Sequence, residues 1–243
     1  MPTGEGAELP SSIFASIVAM SIKLDTLLGL FSVGKIPSGS KDPFALRRAV
    51  NGIVRILMQY DLPFGIDDMI ALLSPNYAEF DAQKLRDFIL ERINKSLPAN
   101  PSVIAAVLAS GEMDVARIAQ KVAALDAIVE DETFQEQFST FKRVANISKE
   151  IDLGSALSIE TSLFAEEAEV ALYTAWEKAL NGNYPDYRTR LEALFGLKAE
   201  LDRYFDEVMV NIDDAPLRAN RQALIGSIYR SFREIADIKE ISV

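Results

Sequence analysis

Apolar residues recur at three- and four-residue spacing along nearly all of this 243-residue chain, and no run of period-2 alternation lasts long enough for a confident strand. That pattern predicts an all-α fold. Ile13, Ile17, Met20, Leu24, Leu27 and Leu28 mark a first helix to about Phe31, behind a loop over residues 1–11. Leu46, Ala49, Val50, Ile53 and Leu57 stripe a second, from Pro43 to about Tyr60. A short helix ends at Leu73, and a charged amphipathic one spans about 81–94. SLPANPS, at 96–102, holds two prolines in seven residues and is the best domain boundary, separating 1–95 from 96–243. Beyond it the spacing predicts helices over about 102–109, 113–129, 132–150, 159–180, 188–209 and 216–236. Breaks fall at 151–158 and at NGNYPDY, 181–187, and no internal repeat is visible.

Composition narrows the chemistry. A hydrophobic content of 49% supplies a core and excludes a disordered chain. The chain has no cysteine, so disulfides and thiolate metal sites are excluded. It has no histidine, which excludes Ser-His-Asp and Cys-His nucleophile systems, His-ligated zinc and imidazole acid–base chemistry. No phosphate-binding glycine loop is present, and the carboxylates, lysines and hydroxyls form no convincing catalytic cluster. No catalytic or metal-ligating residue is therefore assigned. The polar start, MPTGEGAELP, lacks a secretory n-region, and the apolar stretch 13–22 is too short to span a bilayer. A soluble cytoplasmic protein with no membrane partner is expected.

The net charge of −11, from 25 basic and 36 acidic residues, argues against nucleic-acid binding unless positive charge is gathered locally. Two segments gather it. In FKRVANISK, 141–149, helical spacing puts Lys142, Asn146 and Lys149 on one face with Arg143 beside it, while Phe141, Val144 and Ala145 turn toward a core. Such a face suits phosphate and base-edge contacts, although a solvated helix surface has the same composition. In DDAPLRANRQALIGSIYRSFREIAD, 213–237, Leu217, Leu224, Ile228 and Ile235 give a buried stripe. Arg218, Arg221, Arg230 and Arg233 face only Asp214 between 214 and 233, a local charge of +3. These arginines either meet RNA or pair with acidic helices such as EEAE at 166–169. Phe205, Val208 and Met209, in LDRYFDEVMVNIDD, read as core.

A further segment, SGSKDPFALRR at 38–48, reads locally as a glycine-containing loop followed by a helix, with Asp42 as N-cap, Pro43 at the first helical position and Arg47, Arg48 and Arg55 carried on it. Its wording, together with KLDTLLGLF before it, KRVANI, the run at 204–210, LRANRQAL and the final IAD, closely resembles the β subunit of the bacterial two-subunit glycyl-tRNA synthetase. The similarity covers nearly the whole chain and implies its C-terminal part. Residues 1–95 would be the end of an HD-like domain and connector, and 96–243 a helical-bundle anticodon-binding domain like that of arginyl-tRNA synthetase. In the family the helix ending in KLDTL is usually preceded by Ala-Asp. Here those positions are Ser21 and Ile22, so the Asp aligning with an HD metal ligand is missing, and a hydrolase of that class is not expected.

The resemblance implies tRNA(Gly) recognition in support of ATP-dependent glycylation. The chemistry, with ATP and Mg, lies on the separate α subunit, and no cofactor is held here. The implied RNA-facing residues are Lys142, Arg143, Asn146, Lys149, Arg218 and Arg221, with Tyr187 or Tyr229 available to stack on bases. Lys41, Arg47 and Arg48 are candidates for RNA or interdomain contact. Replacing Arg218 and Arg221 by Ala is expected to weaken tRNA binding and flatten its salt dependence. The implied partners are tRNA(Gly), the α subunit and the remainder of β, whose surfaces would cover apolar residues of the first helices. The alternative is a helical assembly module that binds the α subunit without reading the anticodon.

Overall fold

The computed structural model describes residues 8–39 and 41–242, without the side chains at 132, 136 and 137. Most of the loop expected at 1–11, and Ser40 of the SGSKDPFALRR segment, therefore lie outside the described residues. The described residues form eleven α-helices and three short 3-10 turns, with no strand beyond two isolated bridges. They divide into two units. The first runs up to Pro98 and includes Glu112–Gln120; the second comprises Ala99–Gly111 and Lys121–Val243.

In the first unit, α1 (Ile13–Ser32) packs on α2 (Leu46–Tyr60), and α2 packs on α4 (Ala82–Ser96). Leu24, Leu27, Leu28 and Phe31 meet the α2 stripe of Val50, Ile53, Val54 and Leu57, all buried. Each such side chain contributes about 1.5–3 kcal/mol by leaving water. The Phe31 ring lies 5.5 Å from that of Phe88 on α4. The short α3 (Ile66–Leu73) is tied at its start to residues 113–115: Ile66 N–H donates to the Met113 carbonyl at 2.9 Å, and Val115 N–H to that of Phe64 at 3.2 Å. Buried Asp114 accepts from the Phe64 N–H at 2.7 Å and from the Arg117 N–H at 3.0 Å, capping α6 (Val115–Val129).

Helix α1 departs from the expected pattern. Ile13 and Ile17, read as core, are each 51% exposed, and Phe14, Val18 and Ile22 are exposed beside them. The first turns of α1 are apolar on every side, so periodicity could not choose a face. At 20 residues α1 is long and apolar enough to cross a membrane by length and composition alone, because the helix continues well past the stretch 13–22. Its Leu24–Phe31 side is nevertheless packed as a protein core.

The second unit contains α5 (Pro101–Ala109), α7 (Glu132–Ser148), α8 (Glu167–Leu180), α9 (Tyr187–Phe195), α10 (Lys198–Glu207) and α11 (Ala215–Arg233). Helix α11 is its spine: between 220 and 232 every residue but Gln222 and Arg230 is buried, as expected of a helix packed on all sides. It contacts α7, α8 and α9. Phe141 of α7, Phe195 of α9 and Phe232 of α11 form an aromatic cluster with ring centroids 4.9–5.7 Å apart.

Three predicted boundaries are corrected. Helix α8 begins at Glu167, not 159, because Glu166 accepts from the backbone of Glu169 while the Glu169 carboxylate accepts the Glu166 N–H, closing a capping box. The helix expected over 188–209 is two, broken at Gly196 and Leu197. Helix α2 starts at Leu46 rather than Pro43.

Candidate nucleic-acid interface

The four arginines expected to make a basic patch on α11 are turned to structural use. Arg221 is only 6% exposed and pairs with Glu169, itself fully buried, at 2.9 Å. Its Nη1 donates to the Met209 carbonyl at 2.9 Å. Arg218, half-buried, donates to the Ile212 carbonyl at 2.6 Å. Arg230 donates to the carbonyls of Leu153 and Ser155, both at 2.7 Å. Arg233 lies 3.6 Å from the buried Asp237 carboxylate. Arg221 is thus corrected from a surface RNA ligand to the core of an internal ion pair; Arg218, half-buried, braces the segment 208–212. The acidic partner is one of the EEAE glutamates that the sequence offered as the alternative.

The electrostatics of that pair follow from burial. Desolvation alone pushes the Glu169 carboxyl up; the Arg221 hydrogen bonds, the N–H groups of Glu166 and Ala165 and the Arg221 charge together outweigh it. The net effect holds Glu169 below the ordinary glutamate range.

Helix α7 keeps its polar face outward. Lys142, Arg143, Asn146 and Lys149 are all exposed, and Phe141, Val144 and Ala145 are buried beneath them. The amphipathic spacing read from the sequence therefore brings these four side chains to one surface. Lys149 Nζ donates to Asn146 Oδ1 at 2.8 Å, and Lys142 Nζ stands 5.4 Å from the centre of the Phe138 ring. The Arg143 guanidinium lies 4.3 Å from the centre of the Phe205 ring on α10. Sequence reasoning missed this stacked pair, since nothing local says that α10 crosses α7 here. It also misread Met209, expected in the core and found 70% exposed, while Phe205 and Val208 are buried as expected. Helix α10 ends at Glu207, so helical spacing no longer places residue 209.

Tyr229 offers no stacking face of the kind expected. Tyr229 is 4% exposed and donates its hydroxyl to buried Asp237, which also caps the last 3-10 turn through the Lys239 N–H. Burial first, and then that hydrogen bond and the Asp237 charge, push the Tyr229 phenol well up. Tyr187 is half-buried at the start of α9, with Lys121 Nζ 5.5 Å from its ring centre.

In the first unit the SGSKDPFALRR segment braces itself. Asp42 is not an N-cap of the ordinary kind: Pro43 and Phe44 occupy a turn closed by the Ala45 N–H on the Asp42 carbonyl at 3.1 Å. The Asp42 carboxylate then reaches over that turn to accept the N–H groups of Leu46 at 2.8 Å and Arg47 at 3.1 Å. The turn forces Ala45 to φ 58°, a left-handed conformation that costs a residue with a Cβ about 1–2 kcal/mol. Arg47 donates to the Gly39 carbonyl at 2.6 Å, whereas Lys41 and Arg48 are exposed, as is Phe44. No group of three or more carboxylates or other metal-binding side chains comes together among the described residues.

Similarity to known proteins extends over the whole chain. Residues 1–109 match the family described as Glycyl-tRNA synthetase beta subunit. The whole chain aligns with the glycine–tRNA ligase beta subunit of Helicobacter pylori strain G27 at 43% identity, covering 36% of that protein. The same subunit of Janthinobacterium sp. strain Marseille is 35% identical over 99% of the chain, and that of Pseudomonas aeruginosa strain LESB58 is 35% identical over 98%. The chain spans 36–37% of the length of these relatives. Both units together are thus homologous to a part of the glycine–tRNA ligase beta subunit.

Proposed function

We propose that this chain is a tRNA(Gly)-recognition part of a glycine–tRNA ligase β subunit, and that the exposed face of α7 binds the anticodon arm. The observation that carries the reading is the gathering of Lys142, Arg143, Asn146 and Lys149 on one exposed helix face of a protein whose net charge is −11. Lysine and arginine would hold the phosphate backbone, and Asn146 would read a base edge. Lys41 and Arg48 would give a second, weaker contact from the first unit. Arg47 and Arg218 serve by shaping their loops. Glycylation itself, with ATP and Mg, belongs to the α subunit in the cytoplasm.

The test is a fluorescence-anisotropy titration of the chain with labelled tRNA(Gly) beside the same tRNA with an altered anticodon, at low and moderate salt. Tighter binding to the native anticodon supports the reading. Equal, salt-sensitive binding reduces the face to an electrostatic platform, and no binding to either RNA overturns it.

A second reading, assembly with the α subunit or the rest of β, is favoured by the exposed apolar row Ile13, Phe14, Ile17, Val18 and Ile22 on α1. Co-purification with the α subunit, without a tRNA shift, would select it.

A further inference from the structure

The chain that joins α7 to α8 is laid along α11 and fastened at two places. Arg230 holds the carbonyls of Leu153 and Ser155, both at 2.7 Å. Asn220, buried, holds both main-chain groups of Glu160, at 2.7 and 3.1 Å. Between these anchors residues 156–160 run with neither turn nor bend, and Glu160 has extended backbone at φ −103° and ψ 104°. Exposure alternates along the segment: Leu157 and Ile159 are half-buried, while Ala156, Ser158 and Glu160 are exposed. That is the period of a β-strand. Yet no main-chain group from 156 to 159 hydrogen-bonds to another described residue. The segment is a lone extended stretch with an open edge, the kind of template that pairs with another chain.

Beside it lies a cleft of about 510 Å³. Leu157, Leu163, Pro216, Ala219 and Ala223 give the cleft an apolar wall, with small side chains on α11. Its charge is of one sign. Exposed Glu160 lines it, and Asp213 and Asp214 are exposed just ahead of Pro216. No cation is among the described lining residues, and Arg218 and Arg230 of α11 are committed to carbonyls. Carboxylates oppose a phosphate backbone, and a small apolar ligand would leave the open edge unpaired. An extended peptide meets both demands. Its main chain pairs with 156–159, alternate side chains enter the apolar wall, and basic side chains between them meet the carboxylates.

We propose that this edge and cleft bind an extended, basic segment of a protein partner by strand addition, with small apolar residues alternating with lysine or arginine. Asn220 and Arg230 are positioning residues that hold the edge straight.

The probe is a set of fluorescein-labelled heptapeptides with lysine or arginine at alternate positions and Ala, Val, Ile or Leu between them, titrated against the full chain by anisotropy. At least one should bind saturably. Only alternate amides of a paired strand face its neighbour, so N-methylation in one of the two alternating registers should weaken that peptide about tenfold and in the other should not. Glutamate in place of its basic residues should also weaken it about tenfold. Ala219→Leu fills the cleft from an exposed position, and Glu160→Lys reverses its charge while leaving the main-chain bonds to Asn220. Both should weaken the best peptide about tenfold, with wild-type circular dichroism and thermal unfolding. Equal binding of the two N-methylated registers, binding unchanged in either variant, or no saturable binding by wild type overturns the site. Displacement of the peptide by a tRNA(Gly) anticodon hairpin also overturns it, by making the cleft an RNA surface.

Discussion

At the scale of single residues, charge and hydroxyl pairing decide what each group can do. Glu169 and Arg221 are a buried pair with further hydrogen bonds, and removing either partner leaves an uncompensated charge. Arg221→Ala or Glu169→Ala should cost about 3–5 kcal/mol in a denaturation experiment. Because the Glu169 pKa is lower folded than unfolded, its contribution is complete above the unfolded value of about 4.3. It is lost as pH falls through the folded value, so wild-type stability should drop below about pH 4.3 more steeply than that of Glu169→Gln. Two buried tyrosines give a paired comparison. Tyr229 donates to the Asp237 carboxylate, whereas the Tyr204 hydroxyl is buried with no partner among the described residues. Tyr229→Phe should lose about 1.5–3 kcal/mol, and Tyr204→Phe should lose none, by thermal unfolding of each.

At the scale of elements, α11 organises the loops around it through polar side chains. Buried Asn220 accepts the Glu160 N–H at 2.7 Å and donates to the Glu160 carbonyl at 3.1 Å. Gly226 leaves room for the same connection: a Cβ there would stand 3.0 Å from Leu157 Cδ1 and 3.2 Å from Ile151 Cγ2. Asn220→Ala should therefore cost about 1–3 kcal/mol and speed limited proteolysis between 151 and 164, with unchanged helix content by circular dichroism. Helices were legible in the sequence wherever an apolar stripe faced a polar one, as in α2, α4 and α7. Their ends were less so. A glutamate at the N-cap of α8 is an uncommon start signal, and the lone Gly196 between α9 and α10 is a break that a helix could also tolerate. The opposite use of two similar basic segments was legible only as an open alternative: the sequence offered EEAE at 166–169 as a partner for the α11 arginines but could not choose it over RNA. Whether an arginine meets solvent or a carboxylate depends on the element packed against it, and the Arg221 partner lies 52 residues away.

At the scale of the whole molecule, the proposed function requires a strongly acidic chain to confine attraction for RNA to a small surface. The α7 face, with three exposed cations, is the surface proposed for it, while the α11 arginines hold backbone carbonyls and carboxylates within the second unit. The resemblance visible in SGSKDPFALRR and LRANRQAL located the family, yet several of its most recognisable side chains, Asp42, Arg47, Asn220, Arg221 and Asp237, maintain the fold. The most direct measurement is the salt dependence of tRNA(Gly) binding by wild type, by the double variant Lys142→Ala with Lys149→Ala, and by Arg218→Ala. Removing two phosphate contacts should reduce the slope of log K against log salt by about 1.4–1.8 in the double variant. Arg218→Ala should keep the wild-type slope. A slope kept by the double variant and reduced by Arg218→Ala would contradict the account, returning the RNA surface to α11.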